Sequence, residues 1–181
     1  MNIKRIFKSM IFHTTKLIIL KPISYLNHRL YMKLYIPLLK NNGMKIIGNP
    51  RYIGIHVKFD DFDKISLGDR VVISDGCILL THDYSLTTAL IAINKNPKSD
   101  IALIRNISVG NNVFIGKNTI IMPHTQIGDN VIVGAGSVVR GKIADNSVLI
   151  GNPAQVVANI QEQAYKWEKY LETDNIRKDK K

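Results

Sequence analysis

From residue 44 onward, aliphatic side chains return every six residues. Leu67, Ile73 and Leu79 form one series, and Val109, Ile115, Ile121, Ile127, Val133 and Val139 form another. Glycine follows directly at positions 68, 110, 116, 128 and 134. An earlier set, Ile47, Ile53, Phe59 and Ile65, keeps the step but is shifted by two. Six is neither the helix period nor the alternation of a simple strand, so an internal repeat decides the fold.

Each hexad is a short strand plus a tight turn, and three of them close one triangular coil of about 18 residues. The aliphatic residue points into the prism and stacks on its equivalents above and below. The next position turns the corner, where Gly or Asn tolerates a positive φ. Backbone groups pair from coil to coil, so open edges remain only at the two ends. The expectation is an all-β solenoid, a parallel β-helix over residues 44–154 with helices at its N- and C-terminal ends. Residues 83–105 interrupt the repeat directly after His82, and an insertion of that length in a compact repeat is usually a functional loop.

Residues 1–43 are expected to form a basic helical segment. Ile3, Ile6, Phe7, Met10, Ile11, Leu17 and Ile18 follow the spacing of one helix face. Pro22 is expected to break that helix, and a second apolar-basic stretch, Tyr25 to Leu39, ends at the turn signal Asn41-Asn42-Gly43. The chain's net charge of +11 belongs to this end: residues 1–59 hold eleven Lys or Arg and no Asp or Glu, whereas residues 60–181 hold fourteen of each sign. The segment reads either as a cap on the prism end or as a pair of helices lying on an anionic membrane surface. No apolar run is long enough for a membrane span, and Lys8, His13 and Lys16 interrupt any signal-peptide core. At the other end, residues 155–181 are expected to be a helix and a frayed tail. Val156, Val157, Ile160, Ala164, Trp167 and Leu171 mark its apolar face.

One cysteine, Cys77, leaves no disulfide framework within the chain. It sits in an apolar run, where a small buried residue is expected rather than a nucleophile. The cytoplasm is the expected location, with the inner face of the membrane as a peripheral option.

The stretch ISVGNNVFIGKNTIIMPHTQIGDNVIVGAGSVVRGKIADNSVLIGNPA, residues 107–154, resembles the hexapeptide-repeat acyltransferases. The branch is that of galactoside, maltose and polysaccharide O-acetyltransferases, and the likeness runs from about residue 46 to residue 157. It implies a left-handed β-helix, a homotrimer and acetyl-CoA as co-substrate, with no metal. It also implies that His82, in Leu80-Thr81-His82-Asp83-Tyr84, is the general base. A hydroxyl is a poor nucleophile at neutral pH, and imidazole, with an ordinary pKa near 6.5, is suited to accept its proton. Asp83 is the expected orienter of the ring; the other reading makes it a loop-start residue bonding its own backbone. The resemblance gives the backbone N–H of Lys117 as donor to the oxyanion. It runs the pantetheine past Phe114, Gly116, Lys117, Gly134 and Ala135.

The sequence departs from the family pattern at three positions. Phe114 stands where relatives often carry Trp. Gln155 replaces a Lys or Arg, so Arg140 and Lys142 become the candidate phosphate cations. Gly54 falls where galactoside acetyltransferases place an acceptor-binding Asn.

The function expected is acetyl transfer from acetyl-CoA to a sugar hydroxyl in bacterial surface-polysaccharide synthesis. The alternatives are a small acceptor such as serine or a nucleotide-linked sugar, and a non-catalytic membrane-associated scaffold. A zinc carbonic anhydrase on the same fold would need clustered imidazoles, and His56, His82 and His124 are far apart in sequence. No nucleic-acid partner is expected, and His13, His28, His56 and His124 take structural readings first.

Overall fold

The computed structural model describes residues 3–173 and residue 176, the side chains of residues 3–6 and 173 excepted. Helix α1 (Ile3–Thr15), a wide π turn (Lys16–Leu20), α2 (Lys21–Leu26) and α3 (His28–Asn41) precede the prism. Helix α4 (Ser85–Ala92) lies in the excursion, and α5 (Ile160–Glu168) and α6 (Tyr170–Thr173) follow the prism.

The prism is a left-handed parallel β-helix with three sheets. The first stacks the strands at 45–46, 65–67, 107–109, 126–127 and 142–143; the second those at 52–53, 72–73, 114–115, 132–133 and 147–151; the third those at 58–59, 78–79, 120–121 and 138–139. Its regular coil is 18 residues: Phe114 pairs with Ile132, and Ile120 with Val138. The first coil is longer, with Tyr52 against Val72, because a short turn of helix at Phe62–Lys64 is inserted. Ser66 pairs with Ser108, 42 residues on and 24 more than one coil, so the excursion leaves the register intact.

Ile53, Ile73, Ile115, Val133 and Leu149 stack as one fully buried column, and Leu79, Ile121 and Val139 as another. Each fully buried side chain of this kind contributes about 1.5–3 kcal/mol. The position two earlier also points inward, giving Val71, Val113 and Val131 on one side and Cys77, Thr119 and Ser137 on another. Cys77 Sγ donates to the Gly116 carbonyl at 3.1 Å, and burial pushes its thiol up from the ordinary value. It is the inert core residue expected.

The first hexad reads one residue out. Ile47 is 73% exposed, and Ile46 takes the core position. The role of the glycines also needs correction. The positive φ falls three residues after the aliphatic residue, at Arg70, Gly76, Asn112, Asn118, His124, Asn130 and Gly136. The glycines directly after the aliphatic residue answer to close stacking instead. A Cβ at Gly68 would lie 2.6 Å from the Gly110 carbonyl oxygen, and one at Gly116 would lie 2.5 Å from the Ala135 nitrogen. One corner is stitched by a ladder of carboxylate and amide oxygens. Asp69 accepts from Asn49 N–H, Asn111 from Asp69 N–H, Asp129 from Asn111 N–H and Asp145 from Asp129 N–H.

The N-terminal helices cap the first coil. Phe12, Leu20, Tyr31, Met32, Tyr35 and Leu39 are buried, and Tyr31 Oη donates to the Ile53 carbonyl at 2.6 Å. The apolar face read from the sequence is a different one. Phe7, Met10, Ile11, Leu17 and Ile18 all face outward, while the side chains of Ile3, Lys4, Arg5 and Ile6 lie outside the described residues. Pro22 does not break the helix. It follows the π turn directly, in the first turn of α2, and the chain breaks at Asn27, which caps α3 by accepting from Leu30 N–H. Among the described residues no helix is long and apolar enough to cross a membrane.

The C-terminal end departs from expectation. Residues Ala154–Asn159 form a strand antiparallel to Ser147–Gly151, and the helix begins only at Ile160. Val156, Val157, Trp167 and Leu171 are exposed, so among the described residues most of the expected apolar face is left uncovered. Gly151, at φ +110, reverses the chain at Gly151-Asn152-Pro153 and makes this pairing possible.

Candidate active site

The third sheet delivers Leu79 to the core, and the next corner carries Thr81 and His82. There the excursion departs: His82–Asp83 pairs antiparallel with Leu103–Ile104, and α4 lies between. The loop is therefore a short, internally bonded arm anchored at the histidine.

Two carboxylates from the coil below meet the ring. His82 Nδ1 lies 3.4 Å from Asp61 Oδ2 and 3.5 Å from Asp60 Oδ2. Thr81, fully buried, fixes both. Its N–H donates to Asp60, and its hydroxyl donates to Asp61 at 2.8 Å while accepting from the Asp61 N–H. The Tyr84 ring stands edge-on to the imidazole, 5.6 Å between centroids. His82 keeps 38% of its side chain exposed, so the ring edge away from the carboxylates can reach a substrate.

Asp83 is not the orienter. Its Oδ1 accepts from Ser85 N–H at 2.9 Å, the loop-start bond of the other reading, and hydrogen bonds from the Ser85 side chain and N–H hold its carboxyl below the ordinary range. Asp60 and Asp61 escaped the sequence reading because the inserted turn at 62–64 hides the coil count. The two-residue shift between the early and late hexad series was the available signal.

Beside Asp60 and Asp61 opens a cavity of about 470 Å³, bounded by Lys8 and Ser9 of α1, Lys64 and Ile104. On the other side of the excursion, Asp83, Arg105, His124 and Arg140 line a groove of about 290 Å³. Lys142 is exposed on the first sheet, opposite Gln126. His124 occupies a left-handed turn position at φ +67, so the repeat accounts for it.

Phe114, Gly116, Lys117, Gly134 and Ala135 form one strip along the second sheet and its following corner. Phe114 is 45% exposed and pairs with Ile132, Gly116 packs on Ala135, and the Lys117 carbonyl accepts from Gly136 N–H. The third sheet separates this strip from His82. Within one chain, the residues expected as base and as oxyanion donor do not meet.

His56 and Asp75 make a tight pair beside that strip, Nδ1 to Oδ2 at 2.7 Å. Burial alone would raise the Asp75 carboxyl, but hydrogen bonds from the His56 ring and N–H, with the charges of His56 and Lys117, hold it below its ordinary value. His56, His82 and His124 thus occupy three separate settings. Among the described residues no three His, Cys, Asp or Glu side chains converge as a metal site.

Residues 106–141 match the family model described as bacterial transferase hexapeptide (six repeats). Galactoside O-acetyltransferase of Escherichia coli (strain K12) is 31% identical over 117 residues, 65% of this chain and 55% of the relative. A protein of the same organism named as a lipopolysaccharide biosynthesis O-acetyl transferase, WbbJ, is 28% identical over 117 residues, 63% of this chain and 60% of the relative. The chain thus spans little more than half the length of these relatives. In fold it resembles a galactoside acetyltransferase solved in complex with coenzyme A. That likeness has a TM-score of 0.64 at 22% identity and covers 98% of this chain and 92% of the other. The matching repeat, the three-sheet prism and these likenesses agree: residues 106–141 carry the hexapeptide repeat of bacterial transferases, on a prism similar in fold to that of a galactoside acetyltransferase.

Proposed function

We propose that the protein is an acetyl-CoA-dependent O-acetyltransferase acting on a sugar hydroxyl in surface-polysaccharide synthesis, with His82 as general base. The observation that carries this reading is the His82 ring held by Asp61 at the mouth of the excursion, beside a cavity lined by carboxylates. Carboxylates of this kind accept hydrogen bonds from sugar hydroxyls. The names of the relatives, galactoside and lipopolysaccharide O-acetyltransferases, favour such an acceptor.

In the proposed reaction Asp61 holds the Nδ1–H side of the ring, leaving Nε2 to take the acceptor's proton. The acceptor oxygen attacks the thioester carbonyl, and the new oxyanion receives a hydrogen bond from the Lys117 N–H. That N–H meets no acceptor among the described residues. Collapse breaks the carbon–sulfur bond, and the imidazolium returns its proton to the departing thiolate. Because the Lys117 strip and His82 lie on different corners of one prism, a complete site needs two chains. A homotrimer supplies such pairs, and the uncovered Val156, Val157 and Trp167 offer apolar surface for the contact. Phe114 is a flat contact for acetyl-CoA, and Arg140 and Lys142 are cations for its phosphates.

The test is thiol release from acetyl-CoA with a panel of sugar acceptors. Wild-type protein is expected to turn over, and His82→Ala is expected to lose at least about 10²-fold in kcat, the usual worth of a general base. Full activity in His82→Ala, or no turnover with any hydroxyl acceptor, contradicts the reading.

A further inference from the structure

Between α1, α2 and the first coil lies a second cavity, of about 360 Å³. Its polar lining is entirely basic or imidazole: His13, Lys16, Lys21, His56 and Lys58. No acidic side chain lines it. Asp75, outside that lining, is engaged by His56 and also attracts Lys16. Lys16 is held in place rather than free in solvent. Its Nζ donates to the Val57 carbonyl at 3.0 Å and lies 5.9 Å from the centroids of both the Phe12 and Tyr35 rings. A cavity that gathers this many donors and no acid suits a phosphate group, whose oxygens accept several charge-assisted hydrogen bonds at once.

The surroundings say what carries the phosphate. Leu17, which lines the cavity, is 63% exposed, and its neighbour Ile18 is 65% exposed. Phe7, Met10 and Ile11 continue the same outward stripe along α1, and Leu26 at the end of α2 is 87% exposed. The helix already buries Phe12 and Leu20 on the prism, so capping does not account for this second stripe. Isolated exposed apolar residues need no explanation, but a stripe of them bordering a basic cavity does. All of it lies in the acid-free stretch of residues 1–59.

We propose that the α1–α2 face docks on an anionic phospholipid surface, with a lipid phosphate in the His13–Lys16–Lys21–Lys58 cavity and the Phe7–Ile18 stripe among the acyl chains. The geometry matches an interfacial helix, with apolar residues on one side and Lys at its flank. Since α1 also supplies Lys8 and Ser9 to the cavity beside Asp61, docking sets that cavity at the lipid surface. The inference does not depend on the acetyl-transfer reading.

Co-sedimentation with phosphatidylcholine vesicles, with and without phosphatidylglycerol, tests it on the full chain. Binding is expected only with phosphatidylglycerol and should weaken sharply at high salt. Lys21→Ala/Lys58→Ala is expected to weaken it about 30-fold, two residues' share of the attraction an anionic surface exerts on basic side chains. Leu17→Ser/Ile18→Ser should abolish it, while Lys21→Arg/Lys58→Arg, which keeps the charge and controls for folding, should retain it. Equal binding to neutral vesicles, or full binding by Lys21→Ala/Lys58→Ala, overturns the proposal. So does inorganic phosphate shifting the His13 and His56 ring resonances in a protein that ignores vesicles, since the site then serves a free phosphate. Self-association relieved by Leu17→Ser/Ile18→Ser, with no vesicle binding, gives the stripe to a second copy and likewise overturns it.

Discussion

Asp61 Oδ2 stands 3.4 Å from His82 Nδ1 and accepts the Thr81 hydroxyl at 2.8 Å, so a residue 21 positions upstream, not the adjacent Asp83, faces the candidate base. The separation is longer than an optimal N–H···O bond of about 2.9 Å, as is common for catalytic pairs before substrate tightens them.

Asp61 is therefore expected to be a positioning residue. Asp61→Asn should lower kcat about tenfold or more while leaving the KM for acetyl-CoA and the unfolding temperature near wild type, the pattern of an interaction used in the transition state. Asp83→Asn should change kcat little. Steady-state kinetics of the two variants distinguish them; equal losses would contradict the assignment.

The two classes of glycine should respond differently to a methyl group. Gly68→Ala drives a Cβ against the Gly110 backbone, which cannot yield without opening the coil. It should destabilise the protein by about 1–3 kcal/mol, the usual cost of overpacking. Gly136→Ala meets no atom within 4 Å and strains only a φ of +70°, a cost of about 1–2 kcal/mol. Gly136→Asn should recover much of that loss, since Asn holds the equivalent turn position at 112, 118 and 130. Denaturant melts of the three variants check this order.

Much of this architecture was legible because a repeat states its own register. The step of six located the core columns, and the end of the repeat's regularity located His82. Three things were not legible. Counting failed at the first coil, where the Phe62–Lys64 turn lengthens it, so Ile46 replaced Ile47 and Asp61 went unseen. Helical spacing at the N-terminus identified an apolar stripe but not its direction. That depended on Phe12 and Leu20, eight residues apart, reaching the prism first. At the C-terminus, apolar spacing resembled a helix face, but the open edge of Ser147–Gly151 captured the segment as a strand.

The His56–Asp75 pair predicts a pH effect. The Asp75 carboxyl is held below its ordinary value in the folded protein. Its contribution is therefore complete above the unfolded carboxyl pKa of about 3.9 and is lost as pH falls through the lower folded value. Asp75→Asn should lower stability at pH 7 and should flatten the decline of stability below pH 4. Urea midpoints measured across that range, on both proteins, give the comparison.

Arg140 and Arg105 share the groove beside Asp83, and Lys142 stands on the neighbouring sheet. Gln155 carries no charge, so these cations are expected to hold the phosphates of acetyl-CoA. Arg140→Ala/Lys142→Ala should raise the KM for acetyl-CoA with kcat largely preserved, the signature of lost uniform binding. An unchanged KM would place the phosphates elsewhere.

The separation of His82 from Lys117 makes the sharpest prediction. If the active site joins His82 of one chain to the Lys117 N–H of another, each can be removed in a different chain and the two mixed. His82→Ala removes the base. Lys117→Pro removes the N–H and leaves the fold intact, because Lys117 precedes Asn118 at φ +58, a turn whose preceding position accepts proline. The chain itself supports this, since Pro123 precedes His124 at φ +67 in the equivalent turn one hexad later. Either variant alone should be inactive. Unfolded together in equal amounts and reassembled, they should regain about a quarter of wild-type activity, because a random pairing of chains unites both intact groups once in about four interfaces. A site confined to one chain would give no recovery at all, and thiol release from the mixture separates the two outcomes.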